Sequence, residues 1–169
     1  MSYELHLLRR GQDGPWDHSI EKELNPGPIV DSKEQEKQYL AGALCRFNQA
    51  LKEARFDYTG LAASQKVDEA EARRRFRHIE LNSDDYSGIQ ITLFDDTVDL
   101  IFPYWHSGEQ ARSVLQQVWD YLAVLQTWGS FVTYDAQLER VLNLDTDFET
   151  VLQYVQAGNN STYASASHV

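Results

Sequence analysis

The chain lacks the residues from which small proteins build covalent or metal staples. Cys45 is its single cysteine, so no internal disulfide can form and no oxidising compartment is indicated. Paired-cysteine zinc spacings, HExxH, phosphate-cradling glycine loops, the dinucleotide glycine fingerprint and the nucleophile elbow are also missing. Their absence removes the strong signatures of metal, nucleotide and acyl-transfer chemistry, and no cofactor is expected. No apolar run approaches the roughly 18 residues of a membrane span. The opening MSYELHLLRR places two arginines after a short apolar run, the reverse of a secretory leader, so a cytoplasmic protein is expected.

Positive charge is locally the scarcest property. Residues 1–77 hold thirteen side chains of each sign, whereas residues 78–169 hold thirteen carboxylates against only Arg112 and Arg140, which accounts for the whole net charge of −11. Between His78 and Ala111 there is neither Lys nor Arg, while Glu80, Asp84, Asp85, Asp95, Asp96, Asp99 and Glu109 all fall there. A phosphate backbone needs a basic footprint, so nucleic acid is excluded as the expected ligand. A basic protein partner or a cation fits the sign, although an acidic balance also serves solubility alone. The run Arg73-Arg74-Arg75 does not reverse this, because Glu69–Arg73 and Glu71–Arg75 stand in the favoured i, i+4 order of a paired, solvated helix face.

What is present is a strongly patterned α+β sequence. A length of 169 residues fits one domain with a sizeable core. Gly88–Phe94 and Thr97–Phe102 read as two strands joined at Asp95-Asp96, rich in β-branched and aromatic residues. A two-residue loop pairs Leu93 with Val98, Ile91 with Leu100 and Ile89 with Phe102, and the strand period of two puts all six on one face. Tyr3 to Leu8 alternates as a first strand, Phe76 to Asn82 as another, and Phe131 to Tyr134 as a further candidate. Residues 11–30, punctuated by Gly and Pro and holding Trp16, read as a loop in which Ile20 and Leu24 can anchor a helical turn.

Helices are expected over 31–54, with a capping box at Ser32/Gln35 or Asp31/Glu34 and a stripe of Leu40, Leu44, Phe47, Leu51 and Ala54. A second helix runs from a Ser64 cap to near Phe76. A third opens at Ser107 with Gln110, buries Ala111, Val114, Leu115, Val118, Leu122 and Leu125, and ends at a Gly129 cap. A last one starts at Thr146 with Glu149, buries Phe148, Val151, Leu152 and Val155, and ends at Gly158. Residues 138–144 fit a short helix or a strand equally. The expected product is one α+β domain over 1–157, a mainly antiparallel twisted sheet of about four to five strands with helices on one face. A mobile polar tail over 158–169 follows.

Three groups of residues have the chemistry of a site. If the first strand pairs near the one holding Ile79, then Glu4, His6, His78 and Glu80 converge, and two imidazoles with two carboxylates suit zinc. Ordinary polar residues on the wet side of a sheet give the same pattern, so no metal is assigned. The corner Pro103-Tyr104-Trp105-His106-Ser107 leads into a helix N-terminus, where unpaired N–H groups favour anions, His106 would add an imidazole, and Tyr104 and Trp105 a stacking wall. Packing of Tyr104 and Trp105 into the core, with His106 left as a surface polar residue, is the favoured explanation of the corner, since aromatics serve packing first. The carboxylates Asp84, Asp85, Asp95, Asp96 and Asp99 lack calcium-hand spacing, and fit an acidic rim that meets a basic protein. Cys45, beside an inward helix stripe, reads as a buried, inert thiol.

The order of elements adds a resemblance. A SYELHLL strand, a long helix, the GIQITLFDDTVDLIFPYW hairpin, an amphipathic helix and FVTYDAQLERVLNL together resemble small uncharacterised bacterial cytosolic proteins and, in general style, the immunity proteins that neutralise secreted toxins. That resemblance implies a specific protein partner and no turnover. The expected function is therefore a non-enzymatic binding module, immunity- or inhibitor-like, that meets a basic partner through Asp95, Asp96, Asp99, Tyr104, Trp105 and His106. The alternatives are a small metal-dependent or histidine/carboxylate hydrolase using His6, His78 or His106, and a homo-oligomer.

Overall fold

The computed structural model describes residues 2–11 and 27–166, with side chains to residue 158. The expected loop helix turn at Ile20–Leu24 and Trp16 lie outside the described residues. Seven strands form one antiparallel sheet: β1 (Ser2–Arg9), β2 (Leu51–Glu53), β3 (Ile79–Ser83), β4 (Gln90–Leu93), β5 (Thr97–Pro103), β6 (Phe131–Asp135) and β7 (Arg140–Val141). Among the described residues five helices accompany them: α1 (Asp31–Phe47), α2 (Tyr58–Gln65), α3 (Glu69–Arg75), α4 (Gly108–Gly129) and α5 (Phe148–Ala166). The α+β class is therefore as expected. The sheet is wider than the four to five strands predicted, because β2 and β7 are edge strands of three and two residues that leave almost no period to read. Among the described residues no helix is long and apolar enough to cross a membrane.

The hairpin has the predicted register. Leu93 pairs with Val98 and Ile91 with Leu100, and Phe94 N–H bonds Thr97 O at 2.9 Å, closing a loop of Asp95 and Asp96. All six predicted inward side chains are buried. The strand order β2-β3-β4-β5-β1-β6-β7 then carries that face across the sheet, with Leu5, Leu100, Ile91 and Leu81 in one row and Leu7, Val98, Leu93 and Ile79 in the next. α1, α4 and α5 lay Leu40, Leu44, Leu115, Leu122, Val151 and Leu152 onto it to form one core cluster. The predicted α4 stripe is buried throughout.

Helix ends are where the expectations fail. α1 stops at Phe47, not Ala54, because Asn48 leaves the helix at φ −134° and turns the chain. Its side chain accepts from Ala50 N–H at 2.9 Å and donates to the Tyr121 hydroxyl at 2.6 Å. Leu51 is buried as expected, but from strand β2, and Phe47 is exposed. The N-cap position of α1 is Val30, with no side-chain cap bond, so neither predicted capping box is used. The helix expected from a Ser64 cap starts only at Glu69, as α3, and Ser64 instead lies in the last turn of a separate helix, α2. Lys66 enters the left-handed region at φ 55° between them, and Asp57 and Asp68 cap α2 and α3 by accepting from Gly60 and Glu71 N–H.

Two glycines predicted as helix ends do other work. The left-handed residue after α4 is Ser130, at φ 54°, while Gly129 provides room for the Phe131 ring: a Cβ there would lie 2.5 Å from it. Gly158 does not end α5, which continues to Ala166 through the stretch predicted as the start of a polar tail. A Cβ on Gly158 would meet the Tyr104 ring at 2.6 Å, so the helix needs a glycine for close approach. The ambiguous 138–144 segment contains β7, pinned by Asp147, which accepts from Arg140 and from Asn143 N–H.

Two substitutions test this packing by urea denaturation. Leu100→Ala, at a buried mid-sheet position, should cost about 3 kcal/mol, and Ile101→Ala on the opposite face about 1 kcal/mol or less. Gly158→Ala should destabilise by about 1 kcal/mol, although Gly→Ala in an open helix stabilises by a similar amount.

Candidate functional site

The hairpin tip was expected to face a partner, and its charges instead turn inward. Lys33 and Lys37 lie four residues apart on one face of α1, directly over the tip. Lys37 is 2 % exposed, and its Nζ lies 2.8 Å from Asp95, 2.8 Å from Glu34 and 3.0 Å from the Arg77 carbonyl. Arg77 also pairs with Asp95 and lies 3.2 Å from Glu34. Asp96 pairs with Lys33. Burial pushes the Asp95 carboxyl up, but the hydrogen bonds from Arg77 and Lys37 outweigh it and hold its pKa below the usual carboxylate range. Asp99, on the second sheet face, takes His6 Nδ1 at 2.8 Å across the β1–β5 pairing. The three hairpin carboxylates predicted as contacts, Asp95, Asp96 and Asp99, are thus all engaged internally, and of these only Asp96 is substantially accessible.

The proposed metal set is separated by the strand order. β1 lies between β5 and β6, so β5 and β4 intervene between His6 and Glu80, which occupy the same row three strand spacings apart, roughly 14 Å. His78 sits against the Phe56 and Phe94 rings at 4.9 and 5.3 Å. Among the described residues no group of three or more His, Cys, Asp and Glu side chains is placed to hold a metal ion. Cys45 is partly buried rather than fully enclosed, and burial pushes its thiol pKa up, away from reactivity.

The strand-to-helix corner divides into an inner and an outer half. Tyr104 faces inward, 5.7 Å from the Tyr3 ring and against Gly158, and burial raises its pKa. His106 is 2 % exposed, and its Nε2 lies 2.9 Å from the Ser87 carbonyl, which requires the proton on that nitrogen. Trp105 points out, 64 % exposed. Tyr86, at 58 %, reaches the same place from the β3–β4 loop, and both rings contact His106, at 5.8 and 6.3 Å between centroids. Residue types alone gave no reason to pair Tyr86 with Trp105, since the loop that carries it reads only as a turn.

That loop is tightly specified. Asp85 accepts from Ser87 N–H at 2.8 Å and from its hydroxyl at 2.5 Å, and Ser87 Oγ also bonds Ser83 Oγ at 2.9 Å. Gly88 follows at φ +67°, where a Cβ would meet Pro103 at 3.0 Å and Trp105 at 3.2 Å. Loop and corner therefore interlock, presenting two aromatic rings over a buried imidazole. Asp84 in the loop and Glu109 in the first turn of α4 are exposed on the flanking segments. Comparison with protein-family models, curated proteins and solved structures gave no significant match to any of them.

The ion cluster at the hairpin tip predicts a pH dependence. The pKa of Asp95 is depressed in the folded state, so its stabilisation is present above the unfolded carboxylate value near 3.9 and lost as pH falls through the folded value. Asp95→Asn should lower stability at pH 7 by about 2 kcal/mol. It should also flatten the loss of stability below about pH 4, read as urea midpoints across pH in both proteins.

Proposed function

We propose that this protein is a non-enzymatic binding module, immunity- or inhibitor-like, that captures a basic protein partner on the Tyr86–Trp105 platform. One observation carries the reading: two large aromatics are exposed while the residues that hold them, His106 and Ser87, are among the most buried polar groups. Exposed Trp and Tyr on a rigid support have the character of interface anchors, which carry most binding energy because ordering them costs little. Asp84 and Glu109 give the flanks the sign that attracts a basic surface and raises its association rate. Of the predicted contacts, Trp105 keeps the central place and Tyr86 joins it. Tyr104 and His106 pack beneath the corner, whereas Asp95, Asp96 and Asp99 are engaged elsewhere by Lys37, Lys33 and His6 and are not part of the platform.

A small histidine/carboxylate hydrolase is the second reading, and one observation favours it: His78 lines a cleft together with Glu34 and Glu53. Loss of p-nitrophenyl acetate hydrolysis in His78→Ala would support it, and equal rates in the two proteins would remove it.

The binding reading is tested by placing a photo-crosslinking amino acid at Tyr86 and, as a control, at the exposed Tyr39. The Tyr86 position should trap one partner that the Tyr39 position does not. With that partner purified, Trp105→Ala should weaken binding by about 2 kcal/mol, some 30-fold. Asp84→Lys with Glu109→Lys should slow association most at low salt. A complex indifferent to Trp105→Ala and Tyr86→Ala would rule out the platform.

A further inference from the structure

The β2–β3 edge carries a second feature with different chemistry. β2 pairs only with Leu81–Ser83, and after the Ala54 N–H bond to the Glu80 carbonyl the chain turns away into α2 while β3 continues back to Ile79. The mismatch in strand length leaves a cleft of about 510 Å³, bounded by α1 on one side and by α3 and the segment after β2 on the other. That volume lies in the range of small-molecule sites.

Three guanidinium groups line this cleft: Arg55, Arg73 and Arg77. Arg77 is fixed at the wall, its side chain 7 % exposed between Asp95 and Glu34. Arg73 stacks 4.3 Å over the Tyr58 ring, and Glu69 at 2.7 Å holds its outer edge. Arg55 is exposed at the rim and enters no ion pair among the described residues. Phe56 and Tyr58, 6.0 Å apart, add flat apolar surface. With Glu34 and Glu53 also in the lining, three arginines against two glutamates leave a local balance of +1 in a protein of net charge −11.

We propose that this cleft binds a small planar anion, an aromatic or heteroaromatic carboxylate or phosphate monoester. Arg55 takes the anionic group in the forked geometry that guanidinium offers to both, and Arg73, whose Nε and Nη2 already bond Glu69, adds its remaining Nη1. Phe56 takes the ring, while Tyr58 holds the Arg73 guanidinium in place. Glu34 and Glu53 also line the cleft and repel further negative charge, which selects a ligand with one anionic group over a polyphosphate or a nucleic acid.

The test is a titration followed by amide and arginine side-chain NMR, with phenyl phosphate and benzoate as probes and inorganic phosphate and benzyl alcohol as controls. Phenyl phosphate, benzoate or both should give saturable shifts confined to residues 53–58 and 73–79, and which of them binds tighter identifies the anionic group. Each control should bind at least about tenfold more weakly than the better probe. Arg55→Gln with Arg73→Gln should cost at least about tenfold while the remaining spectrum stays native, and Trp105→Ala should change nothing. The proposal fails if neither probe saturates at millimolar concentration, if inorganic phosphate binds as well as phenyl phosphate, or if the arginine substitutions leave binding intact.

Discussion

The ion cluster of the buried cations Lys37 and Arg77 with the partly buried carboxylates Asp95 and Glu34 is the constraint on which most of the remaining arrangement depends. Two cations, from α1 and from the segment between α3 and β3, close on a carboxylate at the β4–β5 tip, with a second carboxylate from α1 completing the set. Removing such charges from water is costly, and the cluster is not a strong source of net stability. Its value is geometric. A buried charge tolerates few arrangements, so α1 is held in one position over the hairpin, and Arg77 is held in the wall of the edge cleft.

The same cluster redistributes the surface charge. An acidic hairpin tip in a stretch free of Lys and Arg looks like an exposed negative patch when charges are counted along the chain. In three dimensions α1 brings its lysines from more than fifty residues away, and the tip becomes part of the interior electrostatics. What remains outward is then divided by chemistry. One end of the sheet presents Tyr86 and Trp105 with acidic flanks, and the β2–β3 edge presents arginines beside aromatic rings. The two surfaces share no residue, so a partner on one and a small ligand on the other are compatible.

Close approach accounts for much of what helix periodicity misjudged. Gly129 and Gly158 both resemble C-terminal caps, because glycine ends helices so often. Here each is a contact point for an aromatic ring, Phe131 and Tyr104 respectively, and the second lets α5 pass over the corner that carries Trp105. A glycine kept for space and a glycine kept for backbone freedom are the same letter. Only the neighbour that would collide with a Cβ distinguishes them, and that neighbour lies elsewhere in the chain.

The strand period determined the hairpin register and its buried face, and the 3.6-residue period determined the inward stripe of α4, because both are written within a few consecutive residues. The α+β class followed from the order of those elements. Edge strands of two or three residues, the separation of α2 from α3, and the caps at Asp57 and Asp68 were underdetermined, since short segments carry too few periods to identify themselves. Strand order lay wholly outside local pattern: placing β1 between β5 and β6 is a long-range choice, and it paired His6 with Asp99 rather than gathering two histidines and two glutamates. The aromatic corner was legible as a place of interest. That Trp105 faces out, Tyr104 and His106 face in, and Tyr86 joins from another loop was decided only by tertiary packing, because exposure belongs to what surrounds a side chain and not to its type.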